Sequence, residues 1–118
     1  MDELTERTMQ AISRYLRARG YTILDRLTLD GTQVFVAEDA EHDALAFVQC
    51  MPTRTDEEDF AEPDMGSRSS LEHLALGWLA DHECEDCTTI RFDACALLVV
   101  GEHRALLRHH RGAFNGRV

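Results

Sequence analysis

The tightest group of reactive side chains in this 118-residue sequence is His82-Glu-Cys84-Glu-Asp-Cys87. One imidazole and two thiols this close are donors that suit Zn2+, and Cys95, His109 or His110 would complete a tetrahedral set. Structural zinc sites usually show a second tight ligand pair, which is missing here, so the expected reading is an exposed turn between a helix and a strand. Cys50 and Cys95 sit inside apolar runs and read as small buried hydrophobes. His109 and His110 are adjacent on a short strand, where alternation sends them to opposite faces, so a structural role is expected for them. His73, between Leu71 and Leu74, reads as a surface residue.

All 12 basic residues are arginine, which removes every mechanism that needs a lysine ammonium. With 22 acids the net charge is −10, a balance that argues against a large footprint on nucleic acid and fits a basic protein partner, or simply solubility. No apolar run approaches the roughly 20 residues of a membrane helix. The opening Met-Asp-Glu-Leu-Thr-Glu is acidic where a secretory leader would be basic and then apolar, so a cytoplasmic protein with thiols rather than disulfides is expected.

The elements that must position these groups follow from periodicity. Met9, Ile12 and Leu16, flanked by Ala11, Tyr15 and Ala18, predict a helix over 5–19, with Thr5 as N-cap and Gly20 just past its end. Tyr21 to Leu29 is β-rich with partial alternation, Asp30-Gly31 signals a hairpin, and Gln33 to Ala37 is a second strand. Ala44 to Met51 is so continuously apolar that it predicts a strand covered on both faces. Residues 52–66 hold both prolines with Asp56, Glu57, Glu58, Asp59, Glu62 and Asp64, and read as a mobile acidic loop. Leu71, Leu74, Ala75, Trp78 and Leu79 predict a second helix over 67–82, capped by Ser67, Ser69 or Ser70. Strands over 88–100 and 104–110 complete a single domain, 1–118, of α/β or α+β class. Its element order is α-β-β-β-α-β-β, an antiparallel three-strand meander joined through a crossover helix to a parallel strand.

In this order the residues resemble the YraN-like proteins, small bacterial proteins of restriction-endonuclease-like, PD-(D/E)XK-type fold. The similarity runs through Tyr15-Leu16, Arg19-Gly20-Tyr21-Thr-Ile-Leu24, Gly31, Phe47-Val48, Trp78-Leu79, Arg91-Phe92-Asp93, His109 and Ala113-Phe114, nearly the whole chain. Such proteins typically carry Gly-Glu-Ile-Asp-Leu-Ile-Ala on the second strand and Phe-Val-Glu-Val-Lys on the third. The resemblance places those two acids at Thr32 and Val34, and the later acid and lysine at Gln49 and Met51. The basic residues typical of the second helix fall on Ser67 and Ser70.

Metal-dependent hydrolysis of a phosphodiester needs hard anionic oxygens to hold Mg2+ and a group to orient water. Thr32 and Gln49 offer neutral oxygens, Val34 none, and Met51 a soft sulfur that a hard cation avoids. The resemblance therefore implies a catalytically inactive member without cofactor, retained as an interaction or assembly module. Two alternatives stand beside it. One is a divergent, Mg2+-dependent endonuclease acting on DNA through Asp30, which alternation places on the face of Thr32 and Val34, and a carboxylate of the acidic loop. The other is a small zinc-binding domain using His82, Cys84 and Cys87.

Overall fold

The apolar stripes and β-rich runs form α1 (Glu3–Ala18), β1 (Tyr21–Leu29), β2 (Thr32–Asp39), β3 (Ala44–Arg54), α2 (Met65–Asp81), β4 (Thr89–Val100) and β5 (Arg104–His110). The structure, a computed structural model, describes residues 3–29, 31–54, 65–82, 89–100 and 104–112. No helix among them is long and apolar enough to cross a membrane.

One five-stranded sheet runs in the order β1-β2-β3-β4-β5. The first three strands are antiparallel neighbours, β3 and β4 are parallel, and β5 returns antiparallel to β4. This is the mixed α+β sheet expected from the element order, with α2 lying in the connection that parallel pairing requires.

The helices cover opposite faces. Met9, Ile12 and Leu16 of α1 share a core with Phe35, Ala37, Ala46, Val48 and Cys95. Leu71, Ala75 and Trp78 of α2 share the other with Val34, Val36, Leu45, Phe47 and Ala94. Burying a side chain such as Ile12 or Phe47, each 0 % exposed, contributes about 1.5–3 kcal/mol. Strand β3 supplies both cores by alternation, which explains why it reads as an unbroken apolar run.

Strand β1 also serves both faces, by a different device. Its pairing with β2 slips between Ile23 and Asp25, leaving Leu24 as an extra residue, 45 % exposed. The bulge reverses the alternation: Tyr21 and Ile23 face α1, while Leu27 and Leu29 join the α2 core.

Several boundaries differ from expectation. Thr5 lies inside α1 rather than capping it, because Glu3 and Glu6 in the first turn favour the positive end of the helix dipole and Glu3 pairs with Arg7 at 3.1 Å. Ser67, Ser69 and Ser70 likewise lie inside α2. Gly20, at φ 92°, ends α1 as expected. Of the stretch expected to be an acidic loop, 52–66, residues 52–54 extend β3 and residues 65–66 begin α2. Pairing between β2 and β3 stops at Cys50, so beyond it β3 has β4 alone as a ladder partner. An edge is where a strand tolerates a residue without an N–H such as Pro52. Residues 55–64 lie outside the described residues.

Candidate functional site

The four positions where the resemblance places catalytic groups are neighbours on the α2 side of β2 and β3, but none of them carries a carboxylate or an ammonium. Val34 is fully buried in the α2-side core and pairs across the ladder with Gln49, itself 9 % exposed. Among the described residues, the Gln49 Oε1 has no hydrogen-bond partner. Met51 packs against the same core. Thr32 and Met51 also border a small cavity of about 160 Å3 at the N-terminal half of α1, with Thr8, Gln33 and Cys50. The Thr8 hydroxyl, buried beside that cavity, likewise has no partner among the described residues. Asp30, the acid proposed to substitute, lies outside the described residues, as do Cys84 and Cys87.

His82 is exposed at the end of α2. Its ring stacks on Trp78 at 3.9 Å and its Nδ1 donates to the Trp78 carbonyl at 2.7 Å, so Nε2 is the nitrogen this geometry leaves for a metal. The Trp78 indole N–H donates to Asp25 Oδ2 at 2.9 Å, which, with the Arg26 backbone N–H on the same carboxylate, holds the Asp25 pKa below its usual value.

What the fold does assemble is a polar network on the other face and at the other end of the sheet. Arg91 and Asp93 alternate on β4 with Ile90 and Phe92, which belong to the α2 core, so the two charged residues face α1. Asp39 ends β2, Tyr21 begins β1, and His109 of β5 is paired opposite Cys95. Arg91 reaches all three neighbouring acceptors: Asp93 through Nε at 2.8 Å and Nη2 at 2.9 Å, Asp39 Oδ2 through Nη1 at 3.0 Å, and the Tyr21 hydroxyl through Nη2 at 2.7 Å. Asp93 accepts two further bonds, from His109 Nε2 at 2.9 Å and from the Gly112 backbone N–H at 2.9 Å. The other His109 nitrogen, Nδ1, meets the Tyr15 hydroxyl at 3.0 Å.

The electrostatics follow from those contacts. Burial alone would raise the Asp93 pKa, but the bonds from His109, Arg91 and Gly112 outweigh it and hold the carboxyl below its usual range. At Asp39 burial is likewise outweighed, by Arg91 and His42. Burial would lower the Arg91 pKa, and the two carboxylates raise it instead. Burial pushes both Tyr15 and Tyr21 up.

Asp93, His109 and the Tyr15 hydroxyl stand in the order acid, imidazole, hydroxyl, which in other settings activates a nucleophile. Here the hydroxyl is a phenol with a raised pKa. All four acceptor positions of the Asp93 carboxylate are filled, leaving none for a metal or a shuttled proton. Among the described residues, one group of potential metal ligands converges, Asp39, Glu41 and His42. Its buried member already accepts from Arg91 and His42 through Oδ2, and a guanidinium 3.0 Å away repels a second cation. The cluster locks α1, β1, β2, β4, β5 and the turn at Gly112 together.

The sequence points to a structural role for His109 but not to Asp39, which lies two residues beyond the expected end of the second strand. The signal for Arg91 and Asp93 was available: two charges on one face of an otherwise apolar strand must be paired if that face is buried. No family model matches the chain, and no curated protein is significantly similar to it.

Proposed function

We propose that this protein is a non-catalytic domain with a restriction-endonuclease-like sheet, related to the YraN-like proteins and acting as an interaction or assembly module. The observation that carries the reading is Val34. Where the resemblance calls for a metal-binding acid, an aliphatic side chain at 0 % exposure is part of the α2-side core, and its ladder partner is a neutral amide. Among the described residues, this pair offers a metal ion no anionic oxygen. The net charge of −10 favours a basic protein surface as the partner.

The test is cleavage of branched, single-stranded and duplex DNA by the purified protein with Mg2+ or Mn2+. The expected result is activity indistinguishable from that of a Gln49→Ala variant. Cleavage clearly above that control replaces this reading with a divergent endonuclease whose ligands come from elsewhere in the chain.

A further inference from the structure

Between Arg7 and Arg26 this acidic chain carries five arginines and a single acid, Asp25. Asp25 does not offset them in place, because it bonds Trp78 of α2 beneath the opposite face of the sheet. Three of the five, Arg14, Arg17 and Arg26, line one groove of about 270 Å3 between α1 and the β1–β2 ladder. Its floor is Met9 and Phe35, which are 2 % and 5 % exposed. Arg14 and Arg17 are one helical turn apart and exposed. Arg26 sits opposite Phe35 in the ladder and is held from two sides, its Nε donating to Gln33 Oε1 at 3.0 Å and its Nη2 to Glu6 Oε2 at 2.8 Å.

We propose that this groove binds a small oxyanion carried on an apolar body, a phosphate monoester or carboxylate of metabolite size. Guanidinium groups present paired N–H donors that match the two oxygens of such an anion, and one of the three is fixed before the ligand arrives. The floor supplies the apolar contact that small-molecule sites combine with a few polar groups, and the volume lies near the lower end of such sites. An extended polyanion is disfavoured, since the whole chain repels it at long range. Glu6 is a built-in competitor, holding Arg26 with a carboxylate of the same chemistry. The proposal is independent of whether the positions around Gln49 are catalytic.

Titration of the full chain with phenyl phosphate at low ionic strength, followed by amide NMR shifts, tests it. Binding is expected to move Met9, Gln10, Ser13 and Phe35. The Arg14→Gln/Arg17→Gln double variant, altered at two exposed positions, should weaken binding about tenfold through lost charge-assisted hydrogen bonds. Glu6→Gln should strengthen it, and Arg108→Gln should leave it unchanged. Equal binding of benzyl alcohol would reduce the groove to an apolar patch, and tighter binding of a single-stranded oligonucleotide would make it a nucleic-acid surface; either outcome overturns the proposal. So does unchanged affinity in the folded double variant, or no shift of the folded protein at about 10 mM phenyl phosphate, a concentration above the millimolar range of weak sites.

Discussion

Arg91 and Asp93, two residues apart on one face of β4, grip each other through two parallel hydrogen bonds while their side chains are 12 % and 0 % exposed. Breaking such a pair leaves an uncompensated buried charge, which costs about 3–5 kcal/mol, a large share of a domain's ordinary stability of about 5–15 kcal/mol. Asp93→Ala should therefore lower the unfolding free energy by that amount, read from urea denaturation with an unchanged slope. Arg91→Lys should also destabilise, because one ammonium cannot serve Asp93, Asp39 and Tyr21 in the geometry of the fork. A loss below about 1 kcal/mol for Asp93→Ala, the level of an exposed pair, would contradict the locking role.

The same carboxylates set the acid limit of stability. Asp93 and Asp39 have folded pKa values below the usual one, so as the pH falls the unfolded chain takes up protons first. Their contribution is whole above about pH 5 and is lost as the pH drops through about 4 and then through the lower folded values. Urea midpoints measured between pH 6 and pH 2 should fall along this window. Asp93→Asn should flatten the dependence, and a wild-type profile as flat as that of the variant would refute the assignment.

Much of this fold was legible because its signals are local. The continuous apolar content of Ala44 to Met51 matches a strand with helices on both sides, and the ends of β1 and β5 fall where residue type and turn signals put them. The polar network was not legible, because Arg91 meets Asp39 and Tyr21 from 52 and 70 residues away and no short pattern records such partners. The bulge left a trace that local reading did not resolve. Apolar residues at Ile23 and Leu24, then at Leu27 and Leu29, break strict alternation, and the break marks where the strand changes face. Thr8 was missed because a threonine at a helical core position carries no sign of whether its hydroxyl finds a partner.

Restoring an acid on the second strand should not restore a metal site. Val34→Asp introduces a carboxyl group at 0 % exposure, where one neutral amide, Gln49, replaces only part of the hydration it loses. A loss of at least about 3 kcal/mol is expected in urea unfolding, and Mg2+ should not recover it. Recovery of the thermal midpoint on adding Mg2+ would show that the position still belongs to a metal-binding pocket.

Removing the Thr8 hydroxyl should help. Its Oγ1 is buried without a partner among the described residues, so Thr8→Val keeps the shape and deletes an unsatisfied group. A gain of about 1 kcal/mol is expected from denaturation curves. A comparable loss would mean that the hydroxyl bonds something inside the neighbouring cavity.

The buried thiols should be inert in the native state. Burial pushes the Cys50 thiol up to about 12 and raises Cys95 as well, so neither forms thiolate near neutral pH. Alkylation at pH 8, mapped by peptide mass spectrometry, should label Cys50 and Cys95 only at the rate of unfolding. Because the unfolded thiol ionises near pH 8.5, stability should also decline as the pH climbs from there toward 12. Rapid labelling of Cys50 under native conditions would contradict its burial.

The bonds to Asp93 from His109 and Gly112 make the integrity of the whole cluster depend on β5 and the turn after it. A chain truncated before residue 104 keeps the residues of both helices and four strands, yet it leaves Asp93 with two of its four donors missing. Removing that segment should therefore lower the urea midpoint and speed cleavage by added protease.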